Sequence, residues 1–452
     1  MLRAAFGKLA YTPPPGTRLG RLGVNIFIAQ GVHSSLEARV ALFDDGQQRL
    51  ALVALDQGFV SAAVTARLRA AVQTGAAVPP AQCLVSVTHT HNAPALMPWR
   101  DDDPGYAQAD TLAEQLVELS RQLAAQLAPV ELRLSETTAP GWAENRRSIY
   151  RQADGREWVA THGDRAAPGF VRPEGPDETA LRALWAVRPD GTVAGGLVNF
   201  WCHPTTLYDE PVWSADFPGV VRARLEREVG GTFVYLTGPC GDLSPARNEL
   251  AFCEPMGTAL AEKLLAGRAT ARPLAAESVG AANERLTLAQ RMVTPAQVRV
   301  AREYLAGTRP SGSAPLVEVL YAWPFHFASH TGNIDDWMAQ EILGMWEWQK
   351  RAAEPVLHET VEVQALRVGD LVLATIPGEL FSALGHAILA DASSGARWVV
   401  ELANGYHGYL PTPAAFAHGG YECCLGYQSR LEPKAGEKLV AVARRLATKL
   451  RL

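Results

Sequence analysis

Early in the chain stands the run Val85-Ser86-Val87-Thr88-His89-Thr90-His91-Asn92-Ala93-Pro94. Its apolar first half predicts the end of a buried strand over 83–87, and its polar second half begins where that strand ends. His89 and His91 are two residues apart, so in an extended chain their side chains leave the same face. Ligand sites of α/β folds lie at such strand ends, and neutral imidazole is a good zinc ligand. A pair of hydrogen-bonded loop histidines is the alternative interpretation.

The same alternation of short β-rich runs and longer helical patterns continues on both sides of this segment. Strands are predicted at 50–55, 83–87, 197–200, 233–236, 370–376 and 398–400. Helices are predicted at 60–73, 111–127, 218–229, 379–390 and 436–452. This rhythm predicts an α/β fold, with a large mixed β-sheet flanked by helices and active-site loops at the strand ends.

The pattern changes between Pro295 and Lys350. Helical patterns there flank a Gly/Pro/Ser break at 308–313 and an aromatic-rich stretch that includes Trp323 and Phe325. We expect residues 1–452 to form a single catalytic domain, with an insertion over about 290–350 packed on it. Its aromatic side chains either cap an apolar acyl pocket or fill a small core of their own.

Composition narrows the class of protein. Of the 452 residues, 48% are hydrophobic and 20% are charged, which excludes a disordered or collagen-like chain. The formal charge of −5 and the lack of a basic stripe argue against nucleic acid as a partner. The six cysteines include no Cys-x-x-Cys pair, so neither a disulfide framework nor a thiolate zinc site is expected. With no signal peptide and no transmembrane segment visible, we expect a cytoplasmic protein.

Two more predicted strands run into polar loops. His203 follows strand 197–200, and the proline after it keeps that histidine out of a helix, so it could share a centre with His89 and His91. Strand 233–236 leads to Asp242 and Ser244. The carboxylate could orient a base, and the hydroxyl could attack or hold substrate, although an ordinary Asx turn is the alternative. Cys240 in the same loop is a rival nucleophile.

The last candidates lie near the end of the chain. Glu379 stands where a strand turns into a helix, a position that the helix dipole alone would favour for a carboxylate. Tyr409 and Tyr421 lie in a Gly-rich loop behind strand 398–400, either as site residues or as surface aromatics.

Together these segments resemble the neutral (non-lysosomal) ceramidases, a family of zinc-dependent amidases. The family's His-Thr-His-Ser-(Gly/Ala)-Pro motif is similar to 89–94, with Asn92 at the serine position. Its Gly-Asp-Val-Ser-Pro-Asn hexapeptide is similar to 241–246, with Ala246 at the last position. His203, the Pro-Gly-Glu turn and the two tyrosines complete the pattern in the same order, and the resemblance spans roughly residues 6–431.

The resemblance implies one zinc ion per chain. It implies that His91 is the proton shuttle, that Tyr421 stabilises the oxyanion and that Ser244 is the catalytic serine. The predicted site therefore comprises the metal ligands His89, His203, Glu379 and Tyr409; the catalytic residues Ser244, His91, Tyr421 and Asp242; and the substrate-binding Arg146, chosen over its neighbour Arg147.

The implied function is zinc-dependent hydrolysis of the amide bond of an N-acylated substrate, ceramide-like or a smaller N-acyl amine, to a carboxylate and an amine. The nucleophile is either Ser244 or water activated by zinc. Characterised ceramidases carry an additional C-terminal immunoglobulin-like domain and often a secretion signal, and we expect neither here. Two alternatives stay open: a zinc esterase or lactonase on the same scaffold, and a non-catalytic binding protein. A small-molecule or lipid-like partner is expected, and a homo-oligomer is possible.

Overall fold

A computed structural model describes residues 1–20, 27–94, 96, 105–275, 277–314, 316–321, 326–327, 334–351, 356–390 and 396–450. Its strands in chain order are β1 (Arg3–Ala10), β2 (Gly31–Val32), β3 (Glu37–Asp44), β4 (Arg49–Leu55), β5 (Cys83–Val87), β6 (Ala128–Pro129), β7 (Glu131–Thr138), β8 (Ala143–Asn145), β9 (Arg147–Arg151), β10 (Glu157–Thr161), β11 (Phe170–Pro173), β12 (Ala180–Val187), β13 (Val193–Phe200), β14 (Val212–Trp213), β15 (Thr232–Thr237), β16 (Leu243–Pro245), β17 (Arg272–Pro273), β18 (Val279–Ala289), β19 (His326–Phe327), β20 (His358–Val368), β21 (Leu371–Thr375), β22 (Glu379–Leu380), β23 (Ala396–Val400) and β24 (Tyr409–Leu410).

The helices are α1 (Ala62–Ala76), α2 (Gly105–Ala125), α3 (Asp216–Val229), α4 (Leu250–Arg268), α5 (Pro295–Leu305), α6 (Leu316–Tyr321), α7 (Ile334–Arg351), α8 (Ser382–Leu389), α9 (Ala415–His418) and α10 (Ala435–Lys449). Within the described ranges, none of these helices combines the length and apolar character that crossing a bilayer requires.

The predicted mixed α/β class is confirmed, with the strands divided among several sheets. The larger sheets have the strand orders β5-β4-β3-β1-β6, β15-β13-β12-β7-β17, β18-β20-β21-β23 and β11-β9-β10-β19. A twisted open sheet rarely continues beyond about ten strands before it splits or curls, so a chain with this many strands builds several sheets.

Three of these sheets meet around one central core. Alternate residues of β4 point in opposite directions: Leu52 belongs to a buried cluster with Leu197 of β13 and Leu373 of β21, while Val53 belongs to one with residues of α1 and α2. The outer faces of the other two sheets are covered in the same way, by α3 and α4 on one and by α8 and α10 on the other. Burial on both faces explains why β4 and β5 are continuous apolar runs.

The predicted helix over 379–390 is wrong in its first turn, because α8 begins only at Ser382. Glu379 instead lies in β22, which pairs in parallel with β24. The backbone N–H of Glu379 donates to the carbonyl of Gly408, and that of Phe381 donates to the carbonyl of Leu410. These long-range hydrogen bonds hold the segment extended, so the helix dipole does not explain the carboxylate.

Helices α5, α6 and α7 lie between two strands that are paired with each other. β18 and β20 are antiparallel neighbours, with Ala289 opposite His358, so residues 290–357 form an excursion from one hairpin. The excursion packs around Trp337 and Met338 and against Leu425 in the loop after Tyr421. Trp323 and Phe325, expected to shape an acyl pocket, lie outside the described residues.

Candidate metal and catalytic site

The predicted site residues converge where strands of the three central sheets end. His89 and His91 follow β5, His203 follows β13, and Glu379 follows β21. The segment after β23 carries Tyr406 in a loop and Tyr409 at the start of β24. Parallel pairs β4–β5, β13–β15 and β21–β23 bring these carboxyl ends together, as the position of the polar loops predicted.

Two histidines present their Nε2 atoms to one carboxylate oxygen. His203 Nε2 lies 3.1 Å from Glu379 Oε2, and His89 Nε2 lies 3.3 Å from the same oxygen. The Nδ1 atom of His203 is 2.9 Å from the carbonyl of Leu243, and that of His89 is 2.8 Å from the carbonyl of Gly58. A carbonyl oxygen only accepts, so each Nδ1 is the N–H donor. In neutral rings both Nε2 atoms then carry a lone pair.

Burial sets the charge of these groups. It lowers the pKa of His203 to about 4, and Arg146 and His89 act in the same direction. Burial alone would raise the pKa of the Glu379 carboxyl, but His89 and His203 hold it well below its usual range. At neutral pH His203 is therefore a neutral imidazole and Glu379 an ionised carboxylate. Three electron-pair donors that face each other in a buried space fit a divalent cation such as zinc.

His91 lies beside this cluster. Its ring centroid is 4.8 Å from that of His89 and 6.0 Å from that of His203. One ring nitrogen from each of the three histidines falls within a 4.8 Å span, close enough for all three to bind one ion. The ring of His91 also contacts that of Tyr208, with 5.5 Å between the two centroids. The assignment of His91 as a proton shuttle rather than a ligand stays a prediction.

The backbone conformation at His89 differs from the extended one that the sequence predicted. His89 has φ = 71°, in the left-handed region, so the extended geometry predicted for 89–91 is wrong. A non-glycine residue held there costs about 1–3 kcal/mol, and such strain concentrates at functional sites. The hydrogen bond from His89 to Gly58 helps to hold the ring in this conformation.

Ser244 is buried beside the cluster with an available hydroxyl. It lies in β16, directly after Leu243, whose carbonyl accepts from His203. Among the described residues its Oγ has no hydrogen-bond partner, although the side chain is 1% exposed. Buried hydroxyls are normally paired, so an unpaired one next to a donor cluster is suited to a substrate or nucleophile role.

The carboxylate of Asp242 is held by hydrogen bonds to residues other than the site histidines. Its carboxylate accepts from the backbone N–H and the hydroxyl of Ser382, at 2.6 and 2.9 Å, and from Asn145 Nδ2 at 2.8 Å. Within the described chain, no hydrogen bond joins Asp242 to a site histidine. The contacts fasten the loop before Ser244 to the start of α8, and a role in orienting a base stays a prediction.

Of the two adjacent arginines, Arg146 is the one that reaches the predicted site. Its Nη2 donates to Tyr409 Oη at 3.0 Å and to the carbonyl of Gly241 at 2.9 Å, and its Nε donates to Glu422 at 3.0 Å. Arg147 turns away to Glu174 and to the other oxygen of Glu422. The guanidinium of Arg146, the arginine predicted to bind substrate, therefore lies beside Tyr409.

The rings of Tyr409 and Tyr421 pack edge to face, with 5.6 Å between their centroids. The ring of Tyr421 also lies 5.3 Å from that of Trp337 on α7, so the excursion from the hairpin contacts a predicted catalytic residue. Burial, together with the charge of Glu379, raises the pKa of both phenols well above its usual value. Both are therefore neutral O–H donors at physiological pH.

Cys240 is not a competing nucleophile in this arrangement. Its buried Sγ donates to Glu401 Oε1 at 2.9 Å. Burial, and then the charge of Glu401, raises the pKa of the thiol well above its usual value. The reactive thiolate is therefore scarce at neutral pH.

One residue that sequence reasoning did not single out contacts the centre directly. Tyr406 Oη donates to Glu379 Oε1 at 2.7 Å. The only signal for it was its place in the same Gly-rich loop as Tyr409, three positions earlier. That signal does not distinguish the two tyrosines.

The fold is similar to that of two solved structures. A ceramidase complexed with C2 aligns with a TM-score of 0.69 and 17% identity, over 99% of this chain and 75% of that one. The neutral ceramidase from Pseudomonas aeruginosa aligns with a TM-score of 0.68 and 16% identity, over 100% of this chain and 75% of that one. This is a neutral ceramidase-like fold. No protein-family model matches the chain, and no curated protein matches its sequence.

Proposed function

We propose that this protein is a zinc-dependent hydrolase that cleaves the amide bond of an N-acylated substrate, releasing a carboxylate and an amine. The observation that carries the proposal is that His203 Nε2 and His89 Nε2 lie 3.1 and 3.3 Å from the same oxygen, Glu379 Oε2. The ceramidase-like fold supports a ceramide-like substrate or a smaller N-acyl amine.

The donor set fits zinc in chemical type. His89, His203 and Glu379 would hold the ion, and His91 and Tyr409 are the nearby candidates for further ligands. Nitrogen and carboxylate oxygen are the donors that catalytic zinc sites use. Zinc bound there would supply Lewis-acid polarisation of the amide carbonyl and would make water more acidic.

The other groups of the site match the remaining needs of amide cleavage. Tyr421, a neutral phenol, would donate to the carbonyl oxygen as negative charge builds up on it. A carbon–oxygen bond forms as the carbon–nitrogen bond breaks, and the departing nitrogen must take a proton. We assign the delivery of that proton to His91, whose ring lies beside those of His89 and His203. Ser244 would attack the carbonyl or hold the attacking water.

Matched substrates and metal removal test the proposal together. The purified chain is assayed on N-acyl amines of several chain lengths, on ceramide in mixed micelles and on esters with the same acyl groups. We expect amide hydrolysis that a chelator abolishes and zinc restores. A strong preference for the esters would point to an esterase or lactonase. Full activity after complete removal of metal would contradict zinc dependence.

A further inference from the structure

We propose that Tyr406 is a positioning residue that holds the Glu379 carboxylate in the orientation needed for metal binding. The inference rests on the proposed function, because it concerns the same centre. It assigns to Tyr406 a task separate from that of the predicted ligand Tyr409.

The two oxygens of Glu379 have different neighbours. Oε1 accepts the hydrogen bond from Tyr406 Oη at 2.7 Å, and Oε2 is the oxygen that faces His203 and His89. With Oε1 bound to a phenol, the carboxylate cannot rotate without losing that hydrogen bond. A single oxygen is thereby presented to the two Nε2 atoms, in the way that groups around a metal site orient its ligands.

Tyr406 is itself held from two sides. Its ring lies 4.4 Å, centroid to centroid, from Phe59, whose ring also packs edge-on against His89 at 5.4 Å. On the other side, Arg430 Nη2 donates to the backbone carbonyl of Tyr406 at 3.1 Å and to Glu359 Oε2 at 2.9 Å. A rigid ring and a bound backbone are what a positioning residue requires.

The loop that carries Tyr406 does not depend on its hydroxyl. The backbone N–H of His407 donates to the carbonyl of Pro377 at 2.9 Å, and that of Glu379 donates to the carbonyl of Gly408 at 3.0 Å. β22 and β24 add their own pairing. Removing the hydroxyl alone therefore takes away one contact to Glu379 and leaves the backbone of both segments in place.

The test is the zinc affinity of Tyr406→Phe, measured by competition with a chromogenic chelator. We expect the dissociation constant for zinc to rise about ten- to a hundredfold, the usual effect of losing a group that orients a metal ligand. Tyr11→Phe is the matched control. Its hydroxyl also makes a 2.7 Å hydrogen bond, but to the backbone carbonyl of Asp56, and we expect zinc affinity within twofold of the native value.

A second pair of variants separates positioning from a general effect on folding. In a Glu379→Ala background the hydroxyl has lost its partner, so adding Tyr406→Phe should leave the zinc affinity unchanged. The same further loss in both backgrounds would overturn the inference, as would a single Tyr406→Phe variant that binds zinc like the native chain. If the native chain itself takes up no zinc, the proposed function fails and the inference fails with it.

Discussion

Two buried polar clusters lie side by side in this protein, and they are satisfied in opposite ways. The metal cluster consists of His89, His203 and Glu379. The arginine cluster, which we define as Arg146, Arg147, Glu174 and Glu422, lies next to it, and Arg146 donates to Tyr409, a further predicted ligand. In the arginine cluster each carboxylate faces a guanidinium: both oxygens of Glu422 accept from an arginine, and Glu174 accepts from Arg147.

The metal cluster has no such balance. The Nε2 atoms of His89 and His203 both face Oε2 of Glu379, and Oε1 accepts from the hydroxyl of Tyr406. Buried acceptors that face each other are unfavourable unless a cation lies among them. The difference indicates which cluster supports the fold and which could bind a metal. A fully paired network stabilises the fold, whereas a network short of positive charge is suited to bind a metal.

The largest expected effect separates catalysis from metal binding and concerns Ser244, which lies beside the metal cluster. Ser244→Ala should lower the turnover of an N-acyl amine by about a thousandfold or more, because it removes a hydroxyl that attacks or holds substrate. Zinc content and the free energy of unfolding should stay near native values, since the Oγ has no partner to lose among the described residues. Steady-state kinetics and elemental analysis check both.

The control is Ser135→Ala. Ser135 lies in β7, and its Oγ accepts a hydrogen bond from Trp185 Nε1 of β12 at 2.9 Å, a contact that supports the fold. Turnover by this variant should remain near native. An active Ser244→Ala enzyme would mean that the hydroxyl is only a packing feature of β16.

The next effect is on stability and concerns the arginine cluster. Glu422→Gln should lower the free energy of unfolding by about 3 kcal/mol, because it leaves two buried guanidinium groups without their shared counter-charge. Denaturant unfolding measures the loss. Glu157→Gln, in a partly exposed pair with Arg151, should change it much less. Equal, small losses for both variants would contradict a structural role for the arginine cluster.

The smallest effect depends on pH. Burial would raise the pKa of Glu174, but Arg147 and His418 lower it to about 2 from a usual value of 4.5. A carboxyl with a lowered folded-state pKa stabilises the fold above its unfolded-state pKa and loses that contribution as pH falls through the folded-state value. Native protein should therefore exceed Glu174→Gln in unfolding free energy by about 2 kcal/mol at neutral pH.

That difference should shrink between about pH 5 and pH 2, as measured by urea unfolding at a series of pH values. Glu131→Gln, in an exposed pair with Arg133, serves as the control and should show a small difference across the range. A Glu174→Gln difference that does not change with pH would mean that the charge of Glu174 is not what supports the cluster.

Much of this arrangement could be predicted from short segments of the sequence. Apolar runs predict the strands. Polar residues directly after them indicate the sheet edge, where His89, His203 and Glu379 lie in the structure. These are local patterns, since side-chain alternation and strand ends depend on neighbouring residues. The fold class and a possible shared centre of the histidines followed from that local information, whereas Glu379 joined the predicted ligands only through the family resemblance.

The details that local patterns did not determine depend on contacts between distant parts of the chain. Glu379 is not helical because its backbone pairs with the loop at Gly408. The roles of Arg146 and Arg147 are set by Glu422, which is 276 residues from Arg146 in the sequence. The left-handed His89 is likewise held by a carbonyl thirty-one positions away. No spacing within one segment contains this information.

The central claim is that the metal cluster binds zinc, and elemental mass spectrometry of the purified chain tests it most directly. The native chain, expressed with zinc in the medium, should carry about one zinc ion per chain, and His203→Ala should carry close to none while remaining folded. A folded native chain without zinc, or a His203→Ala variant that retains it, would contradict the claim.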